Sequence, residues 1–311
     1  MDTRTTRELL AEGHSSEYLR RAVEQGNLVR VRRGAYAASA SPDARQRHRQ
    51  LIDATLPGLR DAVLSHHSAA VVHGIELPHA VPSRVQVIRT RSSKGGGQRN
   101  GVVHTRMVRL PPEDIECVDG LVVTSRARTV VDLARGMGFD AAVILLDAAL
   151  RDPAGQGKES TKYRAAIEAV IRRCGRVPGI KMARDALAFA DGRAESPLES
   201  RSRLMMWRHH LPMPVLQREV LDRNGHLLAR LDFAWEEEML YGECDGQVKY
   251  GVLLAEGQTP SGAVMQEKRR ANDLAALGWR EIRWDDHDVR YPTVLCRRIE
   301  DALRRGIPDA A

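Results

Sequence analysis

The sequence predicts a protein of the α/β class, α+β overall, that is divided into three parts. Apolar residues at helical spacing alternate along the chain with short runs of Val, Ile and Leu that are typical of strands. The charge is uneven, because residues 1–110 carry 18 Lys and Arg against 9 Asp and Glu, whereas residues 201–311 carry 17 against 18. The Asp191-Gly192 step ends the last helical segment of the middle region and marks a boundary. The predicted parts are residues 1–40, 41–190 and 191–311.

The first part has the element order of a winged helix-turn-helix. Helix, helix, strand, turn and strand follow one another over residues 5–12, 15–25, 28–32, 33–34 and 35–37. Ser15 or Ser16 can cap the second helix, which would enter the major groove of duplex DNA, while the basic hairpin would face phosphates. The predicted DNA-contacting residues are Arg20 and Arg21 of the helix and Arg30, Arg32 and Arg33 of the wing.

The middle region mixes helices and strands. Helices are predicted over residues 44–56, 60–73, 126–135, 139–150, 161–173 and 180–190, and strands over 84–90 and 101–108. His66 and His73 fall on one helical face, but no cysteine or carboxylate lies at ligand spacing, so we expect packing or capping roles rather than a metal site. We also expect Ser65 and His66 not to face one another, because adjacent helical residues point in different directions.

The last part has a different rhythm, in which strands follow one another directly. A helix over 196–210 is followed by strands over 215–221, 227–235 and 239–245, the first two joined by an Asn-Gly turn. A helix over 264–277, a strand over 279–284 and a final helix complete the chain. This order predicts a sheet flanked by helices.

Two strands of the last part carry closely spaced carboxylates. A hairpin turn at Glu237-Glu238 would place Asp232 opposite Glu243, and strand alternation would then put both on one face with Asp245. The other face would carry the apolar side chains of Phe233, Trp235 and Cys244. Carboxylates this close repel one another unless a cation lies between them, which indicates a site for Mg²⁺ or Mn²⁺ with Asp232, Glu243 and Asp245 as ligands. The alternative is the solvent-facing acidic side of an amphipathic hairpin.

Four motifs of the last part occur together and in order. They are D-F-x-W from position 232, E-x-D-G from 243, E-K-R-R-x-N-D from 267 and G-W-x-x-x-R-W from 278. Over about residues 195–305 this pattern resembles the PD-(D/E)XK nuclease superfamily, and within it the Vsr-like group of restriction-endonuclease-like domains. The resemblance implies that Asp232 and Glu243 hold the metal and that Glu199, on the preceding helix, belongs to the catalytic set.

The sequence departs from that superfamily at its lysine. Asp245 stands two positions after Glu243, where the motif has Lys. Lys249 is the first choice for the missing catalytic cation and Lys268 the second, as lysines migrate in this superfamily. Two functions therefore stay open, a metal-dependent DNA endonuclease or nickase and a domain that keeps the nuclease fold without robust catalysis.

A second resemblance covers about residues 3–150. The segments that carry it are T-R-E-L-L from position 6, L-V-R-V-R-R-G-A-Y from 28, L-S-H-H-S-A-A from 64 and V-V-T-S-R-A-R-T-V-V-D-L-A from 122. They resemble the AbiEi family of antitoxins. The resemblance implies a winged-helix protein that binds duplex DNA, represses its own operon and pairs with a nucleotidyltransferase-like toxin. One departure is that only four residues precede Thr5, where the family usually has a further helix.

The sequence also excludes some classes of protein. No segment approaches the roughly 20 apolar residues of a membrane-spanning helix, and the first residues form no apolar signal region. The four cysteines are far apart and form no CxxC pair, so we expect free thiols and a cytoplasmic location. We therefore expect a DNA-binding protein without a membrane partner.

Overall fold

A computed structural model describes residues 3–59, 61–89, 101–151, 158–245 and 260–305. The chain divides into two compact units. Its mixed α and β structure is that predicted from the sequence. The first unit holds described residues 3–149 and 158–190, and the second holds 150, 151 and 191–305. Within these ranges, no helix is both long enough and apolar enough to cross a membrane.

The first unit begins with the predicted winged helix-turn-helix. Its elements are β1 (Thr3–Thr5), α1 (Thr6–Ala11), α2 (Ser16–Glu24), β2 (Val29–Arg32) and β3 (Ala35–Ala37). Ser15 caps α2 as expected, because its side chain accepts a hydrogen bond from the Tyr18 N–H at 3.1 Å. The sheet has the order β1-β3-β2, so the residues before α1 form a third strand that the sequence did not predict.

A five-stranded sheet and its helices make up the rest of this unit. The strands are β4 (Val63–Leu64), β5 (Val85–Arg89), β6 (Val103–Met107), β7 (Ile115–Val118) and β8 (Leu121–Thr124), in the order β6-β5-β4-β8-β7. The helices are α3 (Ala44–Thr55), α4 (His66–Val72), α5 (Arg126–Ala134), α6 (Phe139–Leu150), α7 (Lys158–Cys174) and α8 (Ile180–Phe189). The aliphatic core between sheet and helices includes Ile52, Leu64, Val87 and Val123.

The predicted helix over residues 60–73 is wrong in its first half. Val63 and Leu64 form strand β4 at the centre of the sheet, and α4 begins at His66. The expectation that Ser65 and His66 do not face one another is also wrong, because Ser65 is extended and His66 has a φ of 51°. This turn brings Ser65 Oγ to 3.1 Å from His66 Nδ1.

The second unit is a sheet flanked by helices, as predicted. Its elements are α9 (Pro197–Arg208), β9 (Val215–Leu221), β10 (Leu227–Trp235), β11 (Leu240–Asp245), α10 (Pro260–Ala276), β12 (Arg280–Asp285), α11 (Asp286–Arg290) and α12 (Thr293–Arg304). The sheet order is β12-β11-β10-β9, antiparallel except for the parallel pair β11 and β12. Phe233 and Trp284 pack towards α9 and α12 on one face, and Tyr241 packs towards Leu274 of α10 on the other.

Candidate nucleic-acid interface and acidic site

Helix α2 presents a charged outer face. Arg20 and Arg21 are both exposed. Arg21 Nη2 lies 2.6 Å from Glu17 Oε1, one turn earlier. Arg20 Nε lies 3.9 Å from Glu24 Oε1, one turn later. Exposed ion pairs of this kind contribute little to stability, so both arginines can exchange glutamate for phosphate at little cost.

The wing divides its arginines between solvent and protein. Arg30 and Arg33 are exposed, whereas Arg32 is half-buried. Arg32 Nε donates to the carbonyl oxygen of Ala54 in α3 at 2.8 Å, and its Nη2 donates to the same oxygen. Its Nη1 also donates to the Arg33 carbonyl at 2.7 Å. The Arg32 guanidinium therefore fixes the wing to α3, and the other two arginines are displayed on a strand and turn that are held in place.

The hairpin of the second unit has the predicted register. Phe233 pairs with Gly242 and Trp235 pairs with Leu240, which places Asp232 opposite Glu243. The apolar face is also as predicted, because Phe233, Trp235 and Cys244 all belong to one core cluster.

Strand alternation is interrupted at Asp232. Leu231 packs with Ala234 on one face of the sheet, whereas Phe233 packs on the other, so one residue between them breaks the period of two. The residue opposite this point, Gln217 of β9, has a φ of 52°. Asp232 Oδ2 accepts a hydrogen bond from the backbone N–H of Cys244 at 3.4 Å. The side chain therefore lies at a kink in the strand, across from β11.

Arginines surround the other two predicted ligands. Glu243 is buried, and Arg270 Nη2 of α10 donates to its Oε1 at 2.6 Å. Arg283, its neighbour on β12, places Nη2 3.3 Å from Glu243 Oε2 and Nη1 3.6 Å from Asp245 Oδ2. Both oxygens of Glu243 thus face a guanidinium, which compensates the carboxylate charge without a metal ion.

Glu199 lies in the first turn of α9 and is buried. Its Oε2 accepts hydrogen bonds from the Glu195 N–H at 2.9 Å and from Gln217 Nε2 at 3.0 Å, and its Oε1 from Ser196 Oγ at 2.8 Å. Burial raises the pKa of Glu199, and the negative charge of Asp232 raises it further. The negative charge of Asp232 therefore contributes to the acidic surroundings of Glu199.

The predicted ligands do not form an open set of oxygens for a divalent ion. Among the described residues, a group of three ligand atoms within 4.8 Å of one another comes from Asp285, His287 and Asp288, not from the predicted three. Asp285 and Asp288 cap the start of α11, which accounts for that grouping. Two arginines hold Glu243, so its oxygens are not available to a divalent ion in this arrangement.

The structure describes one of the two lysines that were predicted to supply the catalytic cation. Lys249 lies outside the described residues, and Lys268 is an exposed residue of α10. Sequence reasoning missed Arg270 and Arg283, which contact Glu243 in the described part of the chain. A signal was present for both, because Arg270 ends the E-K-R-R run and Arg283 belongs to the G-W-x-x-x-R-W motif.

Comparison with known proteins defines the class of the chain. Residues 5–39 match the family model described as transcriptional regulator, AbiEi antitoxin, and residues 61–176 match that of the AbiEi antitoxin C-terminal domain. Both models describe antitoxins, and the first describes antitoxins that regulate transcription. The matches cover the winged segment and most of the five-stranded sheet with its helices.

Two relatives and one solved structure extend the comparison. Uncharacterized proteins MT2308 (strain CDC 1551) and Rv2248 (strain H37Rv) of Mycobacterium tuberculosis are each 34% identical over 288 residues, which covers 91% of this chain and 95% of the relative. The crystal structure of the RV2827C protein from Mycobacterium tuberculosis covers 71% of this chain and 84% of its own, with 17% identity and a TM-score of 0.39. The chain therefore belongs to one family with these two proteins, and over residues 5–39 and 61–176 it carries the two domains of AbiEi antitoxins.

Proposed function

We propose that the protein is a DNA-binding transcriptional repressor in which α2 enters the major groove and the wing contacts phosphates. One observation carries this proposal: the three arginines of the wing have different surroundings. Arg32 holds the hairpin on α3, while Arg30 and Arg33 stay exposed. A wing fixed in this way presents its two exposed charges without a large loss of backbone freedom on binding. Arg20 and Arg21 of α2 would reach base edges and the flanking backbone.

A binding titration tests this function directly. Labelled duplex DNA from immediately upstream of the protein's own coding region is compared with a shuffled duplex of the same composition by fluorescence anisotropy. We expect preference for the upstream duplex by about 10³-fold, as is usual for specific regulators. Arg20→Ala combined with Arg21→Ala should reduce that preference, whereas Arg172→Ala, an exposed arginine of α7, should leave it unchanged. Equal binding of the two duplexes by the unmodified protein would refute the repressor function.

Family membership also supports pairing with a nucleotidyltransferase-like toxin. Co-expression with a toxin of this class encoded beside the protein should restore the growth that the toxin alone arrests. A variant that no longer binds DNA should still restore growth, which distinguishes neutralisation of the toxin from repression of its operon. Growth arrest that persists on co-expression would remove the toxin from the proposal.

A Mg²⁺- or Mn²⁺-dependent DNA nuclease in the second unit is the second candidate function. Two features favour it. The first is the order of α9, three antiparallel strands, α10 and a parallel strand, and the second is that the charge of Asp232 raises the pKa of Glu199. The pairing of Glu243 with Arg270 opposes it, because an ion at Glu243 would have to displace that guanidinium. The repressor with a non-catalytic second unit is therefore the better supported of the two.

Plasmid cleavage and metal binding together distinguish these candidates. Supercoiled plasmid is incubated with the full chain and Mg²⁺ or Mn²⁺, and the thermal midpoint is followed by tryptophan fluorescence with and without each ion. A nuclease should nick the plasmid and gain thermal stability with the ion, and Asp232→Asn should lose both effects while exposed Glu219→Gln keeps them. Lys249→Ala should lose cleavage alone if that lysine supplies the cation. No nicking and no thermal shift would leave the repressor function alone.

A further inference from the structure

A cavity of about 340 Å³ lies in the first unit, away from the wing. Its charged wall comes from His66 at the start of α4, Arg106 of β6, Arg128 of α5 and Arg135, which directly follows α5. Ile88, Val108 and Pro178 supply apolar wall. None of the residues that line it belongs to the winged segment.

Two of these arginines are fixed in place by buried partners. Arg128 Nε lies 2.7 Å from Asp132 Oδ2, and its Nη1 lies 2.8 Å from Asp114 Oδ2. Arg135 Nη1 lies 3.1 Å from Asp132 Oδ1, and its Nε donates to the Pro178 carbonyl at 3.1 Å. One aspartate, Asp132, lines the cavity against three arginines, so the wall carries an excess of positive charge.

The backbone on two sides of the cavity has unusual geometry. His66 has a φ of 51°, a left-handed conformation that is uncommon for a residue with a side chain and that persists only where the surroundings impose it. On the other side, Gly179 lies so close to α5 that an added Cβ would come within 2.0 Å of the Arg135 carbonyl oxygen. Both features hold the walls in a defined shape.

We propose that this cavity binds a phosphate monoester of nucleotide size. Arg128 and Arg135 each use Nε and Nη1 on protein partners, which leaves Nη2 of each to donate to a ligand oxygen. A guanidinium N–H held in place in this way makes a strong, charge-assisted hydrogen bond to a phosphate oxygen. The volume is at the lower end of the range for small-molecule sites, and the apolar wall formed by Ile88, Val108 and Pro178 suits the organic part of such a ligand.

The protonation of His66 should change when this ligand binds. Burial lowers its pKa well below the ordinary value, and the positive charges of Arg106, Arg135 and Arg128 lower it further, as does His67. A bound phosphate would offset those charges, so the imidazole should take up a proton when the ligand binds. Calorimetry in two buffers of different ionisation enthalpy measures that proton uptake.

The test is calorimetric titration of the full chain with AMP, inorganic phosphate and adenosine at constant ionic strength. We expect AMP to bind more tightly than inorganic phosphate and adenosine not to bind. Arg106→Gln should weaken AMP binding at least about tenfold, because a hydrogen bond to a charged group contributes that much or more. Arg109→Gln, an exposed arginine outside the cavity, should bind AMP as the unmodified protein does.

A second pair of variants keeps the test independent of folding. Val108 is 37% exposed at the cavity, so a polar replacement there does not disturb the core. Val108→Glu should weaken AMP binding by charge repulsion, and Val108→Lys should keep or strengthen it. The proposal is overturned if neither AMP nor phosphate binds, if adenosine binds as tightly as AMP, or if Val108→Glu and Val108→Lys bind AMP equally.

Discussion

The arginines of the winged segment and those of the C-terminal sheet differ in what surrounds their guanidinium groups. Arg30 and Arg33 are exposed on the wing, and the pairs made by Arg20 and Arg21 on α2 are solvent-exposed. At the C-terminal sheet, Arg270 of helix α10 and Arg283 of β12 both contact the buried carboxylate of Glu243. Arginines in the winged segment can therefore bind an external polyanion, whereas those around Glu243 are neutralised by carboxylates of the protein itself.

This difference teaches that partners, not composition, decide what a basic residue does. Arg32 makes the point within a single hairpin, since its guanidinium is committed to the Ala54 carbonyl two positions after exposed Arg30. In the C-terminal part, Arg283 lies within 4 Å of three carboxylates, so its charge is balanced within the protein.

The two units can be followed separately in solution. All four tryptophans of the chain, Trp207, Trp235, Trp279 and Trp284, lie in the second unit. Tryptophan fluorescence therefore reports unfolding of the second unit, whereas the far-ultraviolet circular dichroism signal of the helices reports both.

Removing a buried, paired arginine should have the largest effect on stability. Arg128→Ala would leave Asp114 and Asp132 buried with one partner fewer each, and loss of such a partner costs about 3 kcal/mol. For a unit of this size, that lowers the thermal midpoint by roughly 6–12 °C. The shift should appear in circular dichroism and not in tryptophan fluorescence.

An exposed arginine provides the control for this change. Arg172 of α7 is 71% exposed in its side chain and lies 3.9 Å from Glu168, so Arg172→Ala should change the free energy of unfolding by less than about 0.5 kcal/mol. Equal midpoints for Arg128→Ala and Arg172→Ala would show that burial does not separate the two kinds of arginine.

The second unit should be most sensitive at Gly242. A Cβ added there would come within 2.3 Å of the Trp284 ring, which is fixed by its Nε1 hydrogen bond to Ser202 Oγ at 2.9 Å. Gly242→Ala should therefore lower the free energy of unfolding by about 1–3 kcal/mol through overpacking. The loss should be seen in tryptophan fluorescence, and an unchanged midpoint by that signal would contradict the overpacking at Trp284.

Acid should act on the two units in opposite directions. Burial lowers the pKa of His48 to about 4, so its contribution to the first unit is present above its ordinary value of 6.5 and is lost as the pH falls towards 4. Burial raises the pKa of Glu199 above its ordinary value of 4.5, so its contribution to the second unit is present below 4.5 and is lost as the pH rises through the raised value.

Single substitutions of His48 and Glu199 separate their effects on stability from those of the other titrating groups. The pH dependence of the thermal midpoint by circular dichroism should flatten between pH 4 and 6.5 in His48→Gln. The pH dependence by tryptophan fluorescence should flatten above pH 4.5 in Glu199→Gln. Parallel pH profiles for each variant and the unmodified protein would show that neither buried group matters.

Much of the fold was predictable because its signals are local. The cap at Ser15 and the register of β10 with β11 follow from residues close in sequence. Strand β4 was not predictable in this way, since two residues carry no period and Val63–Leu64 is a strand because of its neighbours in the sheet. The hairpin of β7 and β8 was missed although Asp119-Gly120 is a common turn signal.

The candidate site was predictable in part for a related reason. The carboxylates of Asp232, Glu243 and Glu199 were found from spacing and resemblance, since acidic residues in strands and a first helical turn are visible in a sequence. Their partners were not found, because Arg270 reaches Glu243 from α10, 27 positions further along the chain. Only the packing of α10 and β12 against β11 shows that these charges are compensated.

The salt dependence of DNA binding tests most directly the claim that the wing divides its arginines between DNA and protein. If Arg30 and Arg33 each contact a phosphate, replacing both with Ala should reduce the slope of log affinity against log salt by about two units and leave the thermal midpoint unchanged. Arg32→Ala should instead lower the thermal midpoint of the first unit, because the wing loses its hydrogen bonds to the Ala54 carbonyl. An unchanged slope in the Arg30→Ala and Arg33→Ala double variant would contradict the account.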